Sequence, residues 1–511
     1  TVAITESDNT RTLVDTEDNF TMKWNEKRIY MMNYERNANE MFTGKREAFS
    51  GKRIILGITN DNMVKTVKSP KSRYLAFKTG GDLWCYDQTD NELVRIFTFD
   101  SSKDDGIRSR YDRHDVKILS VQEDGTVDFL VYGYMNRGKY EGHMGVIYYS
   151  YDAEKDTVNE KFYLAASESF EKIREDISTL SYLSQNSMMY LMLEGSVYGI
   201  DLKSNEFLVV AQGLTKGSFA VSGDGSRIAW QDGASLYESE KVHVMDFNTA
   251  QKQEITGSEG DYVRVLGFVG NDLIYGFSNS GDKWIVNGRM KGMPMYAMYI
   301  VDNEMQVESE YRKDGIYISD VVAEDGRIHL KRLVRISENQ YMYQDQDTIV
   351  CNQKVDDGEL KGIGYFASQD RGRVYYVQTD SDLNGDKVNI SAPRAFSYEF
   401  ASTLDISFAA TAQADTGMVF HAYGGGHYLG CSRSFGTAVN MAYGQMGFVT
   451  DSNQHIVWDR INRGPIRNIK SPVEEARKMT KYLDSFDGSR MYEEGLILID
   501  AGGCSLSQVL Y

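Results

Sequence analysis

The run Asp380-Ser381-Asp382-Leu383-Asn384-Gly385-Asp386 places oxygen donors at alternate positions, with a glycine where a sharp turn is needed. Such a run can wrap a hard cation. The expected ion is calcium, with Asp380, Asp382, Asn384 and Asp386 as ligands. It is not an EF-hand, because the position that should carry a bidentate Glu falls on Ser391. Strand-like residues flank it, Val374-Tyr375-Tyr376-Val377 before and Lys387-Val388-Asn389-Ile390 after, so a hairpin tip is expected. In that setting the acidic side chains could equally satisfy their own backbone.

Cysteine chemistry is the second possibility. Cys504 precedes Ser505-Leu506-Ser507-Gln508, a capping box, and a helix N-terminus lowers a thiol pKa. A cysteine nucleophile also needs a His and an Asn or Asp brought to it by the fold. No His follows Cys504, whereas His427 and His455 precede it. The same position suits a small buried residue at a strand–helix junction. Cys85, Cys351, Cys431 and Cys504 are widely scattered without a CxxC pair, so neither a disulfide framework nor a structural zinc site is expected.

These residues must be positioned by a chain of 511 residues, too long for one ordinary core. An apolar strand, a tight polar turn and a second apolar strand recur about every fifty residues, the sequence signature of a β-propeller. The clearest unit is Phe219-Ala220-Val221, the turn Ser222-Gly223-Asp224-Gly225-Ser226, the return strand Arg227-Ile228-Ala229-Trp230, and a third strand from Val242 to Phe247. Similar turns occur at Pro70-Lys71-Ser72, Glu123-Asp124-Gly125, Gln185-Asn186-Ser187, Gly270-Asn271-Asp272 and Glu324-Asp325-Gly326, with weaker ones at Asn25-Glu26-Lys27 and Gln369-Asp370-Arg371-Gly372. Eight blades are favoured and seven are possible, the N-terminal strand completing the last blade. No helix is expected before residue 400. Third strands ending in Asp87, Asp152, Asp201 and Asp302 are read as packing strands whose Asp caps the next turn. Two blades carry extra length, Met135 to Gly145 and Asn279 to Pro294, and long loops on a rigid scaffold are where binding usually sits.

After Ile406 the period changes. Ala438, Met441, Ala442 and Met446 predict a helix within Ser434 to Gly447. Ser471-Pro472-Val473-Glu474 starts another, running to about Phe486, and Leu496 to Ile499 reads as a buried strand. A last helix starting only a few residues before Tyr511 leads us to expect a domain that continues past the chain.

The formal net charge of −18 argues against non-specific nucleic-acid binding and against an anionic membrane surface. It suits cationic partners, bound metal or plain solubility. No apolar run approaches a membrane span, so membrane attachment is expected only through a segment absent from the chain. Residue 1 is Thr, so any targeting segment is taken to have been removed or left out.

The stretch Val221 to Trp230 resembles the TolB-like and WD40-like propellers, whose members serve as binding platforms and substrate gates. Tyr423-Gly424-Gly425-Gly426-His427 is similar to the oxyanion loop of prolyl-oligopeptidase-type hydrolases. The chain has no Gly-x-Ser-x-Gly elbow, however, and too few residues after His427 for that domain. Met418 to Gly430, with Ala438, Ala442, Gly447-Phe448-Val449 and Ile456 to Arg460, resembles the region after the propeller in large surface proteins of Gram-positive bacteria. Gly503 to Tyr511 resembles part of a C39-like, papain-fold peptidase domain. That stretch lies past the nucleophile in the C39 family, so the resemblance does not make Cys504 catalytic.

The sequence therefore predicts an all-β propeller over residues 15–406, followed by a small, incomplete α/β C39-like region over residues 415–511. The expected role is extracellular or cell-surface recognition of a peptide, glycan or protein, without nucleic acid. The alternative is a cysteine peptidase-like enzyme with a propeller gating substrate access, for which Cys504 and His427 are the candidates.

Overall fold

The computed structural model describes residues 2–5, 11–24, 28–60, 63–99, 111–204, 206–233, 235–324, 326–351, 362–368, 372–396, 404–406, 419–452 and 454–459. The chain divides into two compact units, Thr1–Ala166 with Phe170–Phe408, and Ser167–Ser169 with Ala409–Tyr511.

The larger unit is all-β and propeller-like. Its first four antiparallel meanders each contain four strands. They are Val64–Lys68, Tyr74–Thr79, Asp82–Asp87 and Glu92–Phe97; then His114–Val121, Val127–Tyr134, Met144–Asp152 and Thr157–Ala165; then Ser181–Leu183, Met188–Leu193, Ser196–Asp201 and Phe207–Ala211; then Phe219–Val221, Arg227–Gln231, Lys241–Asp246 and Lys252–Thr256. The fifth is Asp261–Val269, Asp272–Asn279, Met295–Val301 and Val307–Tyr311. The sixth is Ile316–Glu324 and Arg327–Ser337, with Gln340–Tyr343 and Asp347–Val350 both pairing to the second strand. A single register pair, Met295 with Ile318, joins the fifth to the sixth. The seventh pairs Ile363–Ser368 with Gly372–Asn384 and takes Phe49–Ile58 from the N-terminal side as its third strand.

In the first five meanders the second and third strands are almost wholly buried, because each of these sheets packs a neighbour on both faces. Apolar clusters join the first six meanders in turn and tie the seventh to the first. Phe97, Phe129 and Tyr149 lie between the first and second, Leu130, Tyr148 and Leu191 between the second and third, and Tyr190, Trp230 and Phe247 between the third and fourth. The fourth meets the fifth at Val244 and Tyr275, and the fifth meets the sixth at Ile300 and Leu330. Ile54 and Val377 of the seventh meet Phe77 and Trp84 of the first. This chain of cores, returning from the last meander to the first, is what makes the unit propeller-like.

Turns carry polar connections as well. In the fourth meander Gly225 has a φ of 75°, which glycine adopts without strain. Asp224 accepts from the Ser226 amide at 2.9 Å, and Asn271 of the fifth meander donates to its other oxygen at 2.9 Å. The third meander is tied to the fourth through Tyr182 and Asn186, which donate to Asn248 at 3.0 and 2.8 Å. The Asp at the end of each third strand caps the following turn as expected. Asp87 accepts from Thr89 at 2.7 Å, Asp201 from Lys203 at 2.8 Å and Asp302 from Glu304 at 2.8 Å.

Seven meanders occur among the described residues, one of the two counts expected. Asn25–Lys27 lie outside those residues, and the flanking strands Arg11–Trp24 and Ile29–Glu40 form a separate sheet with Val2–Thr5. Two expectations are corrected, the absence of a helix and the hairpin tip. A ten-residue helix, Phe170–Thr179, does occur before residue 400. It lies between the second and third meanders, burying Phe170, Ile173 and Ile177 in their shared core. Asp380 to Asp386 is not a hairpin tip. Gly372–Asn384 runs as one strand, bulged between Gln378 and Leu383, and Asn389–Ser391 then pairs in parallel with Glu92–Val94 of the first meander.

The smaller unit holds a four-stranded antiparallel sheet in the order His427–Ser432, Phe420–Gly424, Phe448–Thr450, Ile456–Asp459. Its helix is Phe435–Tyr443, capped by Ser434, and buries Ala438 and Ala442 near Phe420, Val449 and Trp458. It ends at Tyr443, short of Gly447; Met441 on its outer side and Met446 beyond its end are exposed. Residues 461–511 lie outside the described residues, and with them the expected helix from Ser471, the Leu496–Ile499 strand and Cys504.

Candidate binding surface

The second inserted loop, Asn279 to Pro294, folds into a small hairpin, Trp284–Val286 with Arg289–Gly292. Asn287 and Gly288 between the strands both have positive φ, as a two-residue hairpin turn requires. The hairpin docks on the sixth meander. Trp284 is 6% exposed and clusters with Leu333 and Tyr341. The Trp284 ring meets Tyr343 edge-on at 5.2 Å, and Tyr317 meets Tyr341 likewise at 5.2 Å.

Polar contacts hold the pieces in register. The Ile285 amide donates to the Asn339 carbonyl at 3.0 Å and the Lys283 amide to the Asn339 side chain at 3.3 Å. Arg335 pairs with Asp282 at 3.2 Å. Burial, and then the Asp282 charge, raise Tyr341 above the usual phenol range. The Lys291 ammonium lies 5.0 Å from the Trp284 ring and 5.7 Å from the Tyr343 ring.

On this fixed base Ile285, Val286, Met290, Ile336, Met342 and Tyr343 are exposed. The result is an apolar shelf with aromatic edges and charged groups, Lys291 and Arg335, beside it. Strand Gln340–Tyr343 ends its branch of the sheet and pairs with no further strand among the described residues. An open edge beside apolar side chains can take an added strand from a peptide. The long insertion marked this region in the sequence. The shelf itself was not legible, because nothing local shows that Tyr341 turns inward while Tyr343 stays out.

The other inserted loop, Met135 to Gly145, is folded inward. Tyr140 stacks on Tyr163 at 3.7 Å and donates to Glu160 at 2.9 Å. An open cleft of about 630 Å³ lies along Ser50, Lys52, Arg53, Phe366 and Gln378, and Arg53 rests 4.5 Å over the Tyr376 ring.

Of the expected metal ligands, Asp380 pairs with Lys68 of the first meander at 2.8 Å, which lowers its pKa, and its amide donates to Gln88 at 3.0 Å. Asp382 and Asp386 follow in the same segment, and the Asn384 side chain lies outside the description. Among the described residues no group of three His, Cys, Asp or Glu is placed to hold a metal ion.

Of the expected catalytic pair, Cys504 lies outside the described residues. His427 is exposed at the start of its strand, just after Gly425 and Gly426, whose φ of 60° and 80° make a tight hairpin turn. The Tyr423-Gly424-Gly425-Gly426 run is thus the end of one strand and its turn, with Tyr423 buried and stacked on Phe448 at 5.0 Å. Buried His421 lies 3.3 Å from the Tyr428 hydroxyl, and burial together with the Cys431 side chain raises Tyr428. No helix among the described residues is long and apolar enough to cross a membrane.

No family model and no curated protein matches this sequence. Among solved structures, it is similar to the WD40 domain of SCAP from fission yeast, at 12% identity over 73% of this chain and 99% of that one, with a TM-score of 0.29. It is similar to a protein described as a conserved lipoprotein of Clostridium novyi, at 14% identity over 26% of this chain and 85% of that one, with a TM-score of 0.21. It is also similar to dipeptidyl peptidase 4 of Porphyromonas gingivalis, at 9% identity over 62% of this chain and 59% of that one, with a TM-score of 0.25. At such scores none of these bears on function, and the propeller-like character rests on the meanders and their returning chain of cores.

Proposed function

We propose that the chain is an interaction scaffold, a seven-bladed propeller that presents the shelf on its fifth and sixth meanders to a protein or peptide partner at the cell surface. The observation that carries this is the contrast within one small region. Trp284, Leu333 and Tyr341 are buried and fix the hairpin, while Met290, Ile336, Met342 and Tyr343 face solvent on top of it. Aromatic and Met side chains on a rigid base are what interface cores use. The open edge of Gln340–Tyr343 favours a partner in extended conformation, with alternate side chains on the shelf.

The test is selection of peptides from a random display library on the full chain, followed by titration of the winners. Binders with alternating apolar residues are expected, and the double substitution Met342→Ser, Tyr343→Ser should weaken them at least tenfold while lowering stability far less than loss of the buried Trp284 indole does. Binders insensitive to that substitution would end this reading. Surface location rests on the resemblance of the C-terminal region to Gram-positive surface proteins, and fractionation of the native host tests it separately.

A further inference from the structure

The strands Arg11–Trp24 and Ile29–Glu40 form a hairpin that belongs to no meander. Val14 is buried at its base, but residues 17–24 and 28–36 are exposed throughout. Its pairing register sorts the side chains onto two faces. Phe20 lies opposite Tyr34, Met22 opposite Met31 and Trp24 opposite Ile29, all on one face. Asn19, Thr21, Lys23, Asn33 and Glu35 occupy the other, with Tyr30 beside Lys23. A bulge after Thr21 absorbs Met32.

The six residues of the apolar face are all exposed, and Phe20 and Tyr34 stack at 4.9 Å. Toward the base this face ends abruptly. Arg36 pairs with Asp18 at 2.6 Å, and the Tyr34 hydroxyl donates to Asp18 at 3.0 Å. The arm is therefore an amphipathic two-stranded blade with a sharp polar boundary. An uncovered apolar face of this extent marks an interaction site.

Charge identifies the partner. From Asn19 to its register partner Glu35 the sequence carries Lys23, Lys27 and Arg28 against Glu26 and Glu35, a net positive end on a chain whose net charge is −18. The exposed part of the strand, from residue 17 to 24, reaches about 25 Å at roughly 3.3 Å per residue. That is about three Debye lengths at physiological ionic strength, so the acidic body is screened from whatever the tip meets. A cationic tip with Trp, Tyr and Met on one face suits the interface of an anionic bilayer. There indole and phenol rings settle at headgroup level and nearby Lys and Arg meet lipid phosphates. A second copy of the arm would bring like charges together instead.

We infer that the Arg11–Glu40 arm docks on an anionic phospholipid surface, with Phe20, Met22, Trp24, Ile29, Met31 and Tyr34 facing the lipid. This surface is separate from the shelf and does not depend on it. It also qualifies the bearing of the net charge, which governs the body of the protein and not this tip.

Trp24 provides the readout. It is 54% exposed, whereas Trp84, Trp230, Trp284 and Trp458 are all buried. The full chain is mixed with vesicles of equal phosphatidylglycerol and phosphatidylcholine, or of phosphatidylcholine alone. The expected result is co-sedimentation with the anionic vesicles and a blue shift of tryptophan emission. Trp24→Phe should remove the shift while keeping co-sedimentation. Trp24→Ser with Met31→Ser should lower binding at least tenfold at an unchanged melting temperature, and Lys23→Glu with Arg28→Glu should abolish the preference for anionic vesicles. Absence of co-sedimentation, or co-sedimentation untouched by Trp24→Ser with Met31→Ser, overturns the assignment. So does a dimer in solution that this double variant converts to monomer without any vesicle binding.

Discussion

Two hairpins of this protein use the same residue types to opposite ends. In the hairpin of the fifth meander, Trp284 is pressed against Leu333 and Tyr341, and Asn339 secures the backbone beside it. In the N-terminal arm, Trp24 lies opposite Ile29 and is 54% exposed. Alternation of large apolar residues specifies a strand in both cases, but burial depends on whether another sheet arrives. A buried indole there stabilises the fold, whereas an exposed one is available to a partner.

The widest separation should appear on truncating the two tryptophans. Trp284→Ala removes a packed indole, and a loss of about 3–5 kcal/mol is expected in chemical denaturation. Trp24→Ala should stay within about 0.5 kcal/mol. Equal losses would erase the distinction. The next effect is at the dock. Asn339 has a φ of 58° and supplies two acceptors to the hairpin, so Asn339→Ala should cost about 1–2 kcal/mol through strain and a lost hydrogen bond.

A pH profile sharpens the contrast between the meanders and the arm. Lys117, in the first strand of the second meander, is half-buried and donates to the Ile177 carbonyl at 3.0 Å. Burial pushes it down to about 8 from an ordinary 10.5. Between those values the unfolded chain holds the extra proton, so stability should rise as pH climbs through the window. Partial exposure limits the gain to about 1 kcal/mol, and Lys117→Met should flatten it. The smallest effect belongs to the arm. Asp18 is lowered first by its hydrogen bond to Arg36, yet the pair is solvent-exposed, and Asp18→Asn should leave the melting temperature where it was.

Much of the larger unit was legible because its signals are local. Asp224-Gly225 demands a turn, and Asp87, Asp201 and Asp302 each close the turn after them with their own carboxylates. What failed was long-range. The strand pattern flanking Asn25–Lys27 reads like a blade, yet residues 17–24 and 28–36 of the flanking strands are exposed. The helix Phe170–Thr179 was missed although Phe170, Ile173 and Ile177 keep helical spacing, because one short connection helix carries little weight among so many strands. Asp380 to Asp386 looked like a hairpin because strand-like residues flank it. Those strands pair with different meanders, and the partner of Asp380 is Lys68, more than three hundred positions away. The shelf escaped notice for the same reason, since Trp284 and Tyr343 meet only in the folded chain.

The most direct check is to replace Trp24, Met31, Met342 and Tyr343 by Ser together in the full chain and record thermal unfolding. If these side chains are displayed to partners, the melting temperature should remain within about 1–2 °C of the parent, the span of small surface effects in a chain this long. A fall as large as that of Trp284→Ala would mean that they are packed in the native protein, and the account of both surfaces would be wrong.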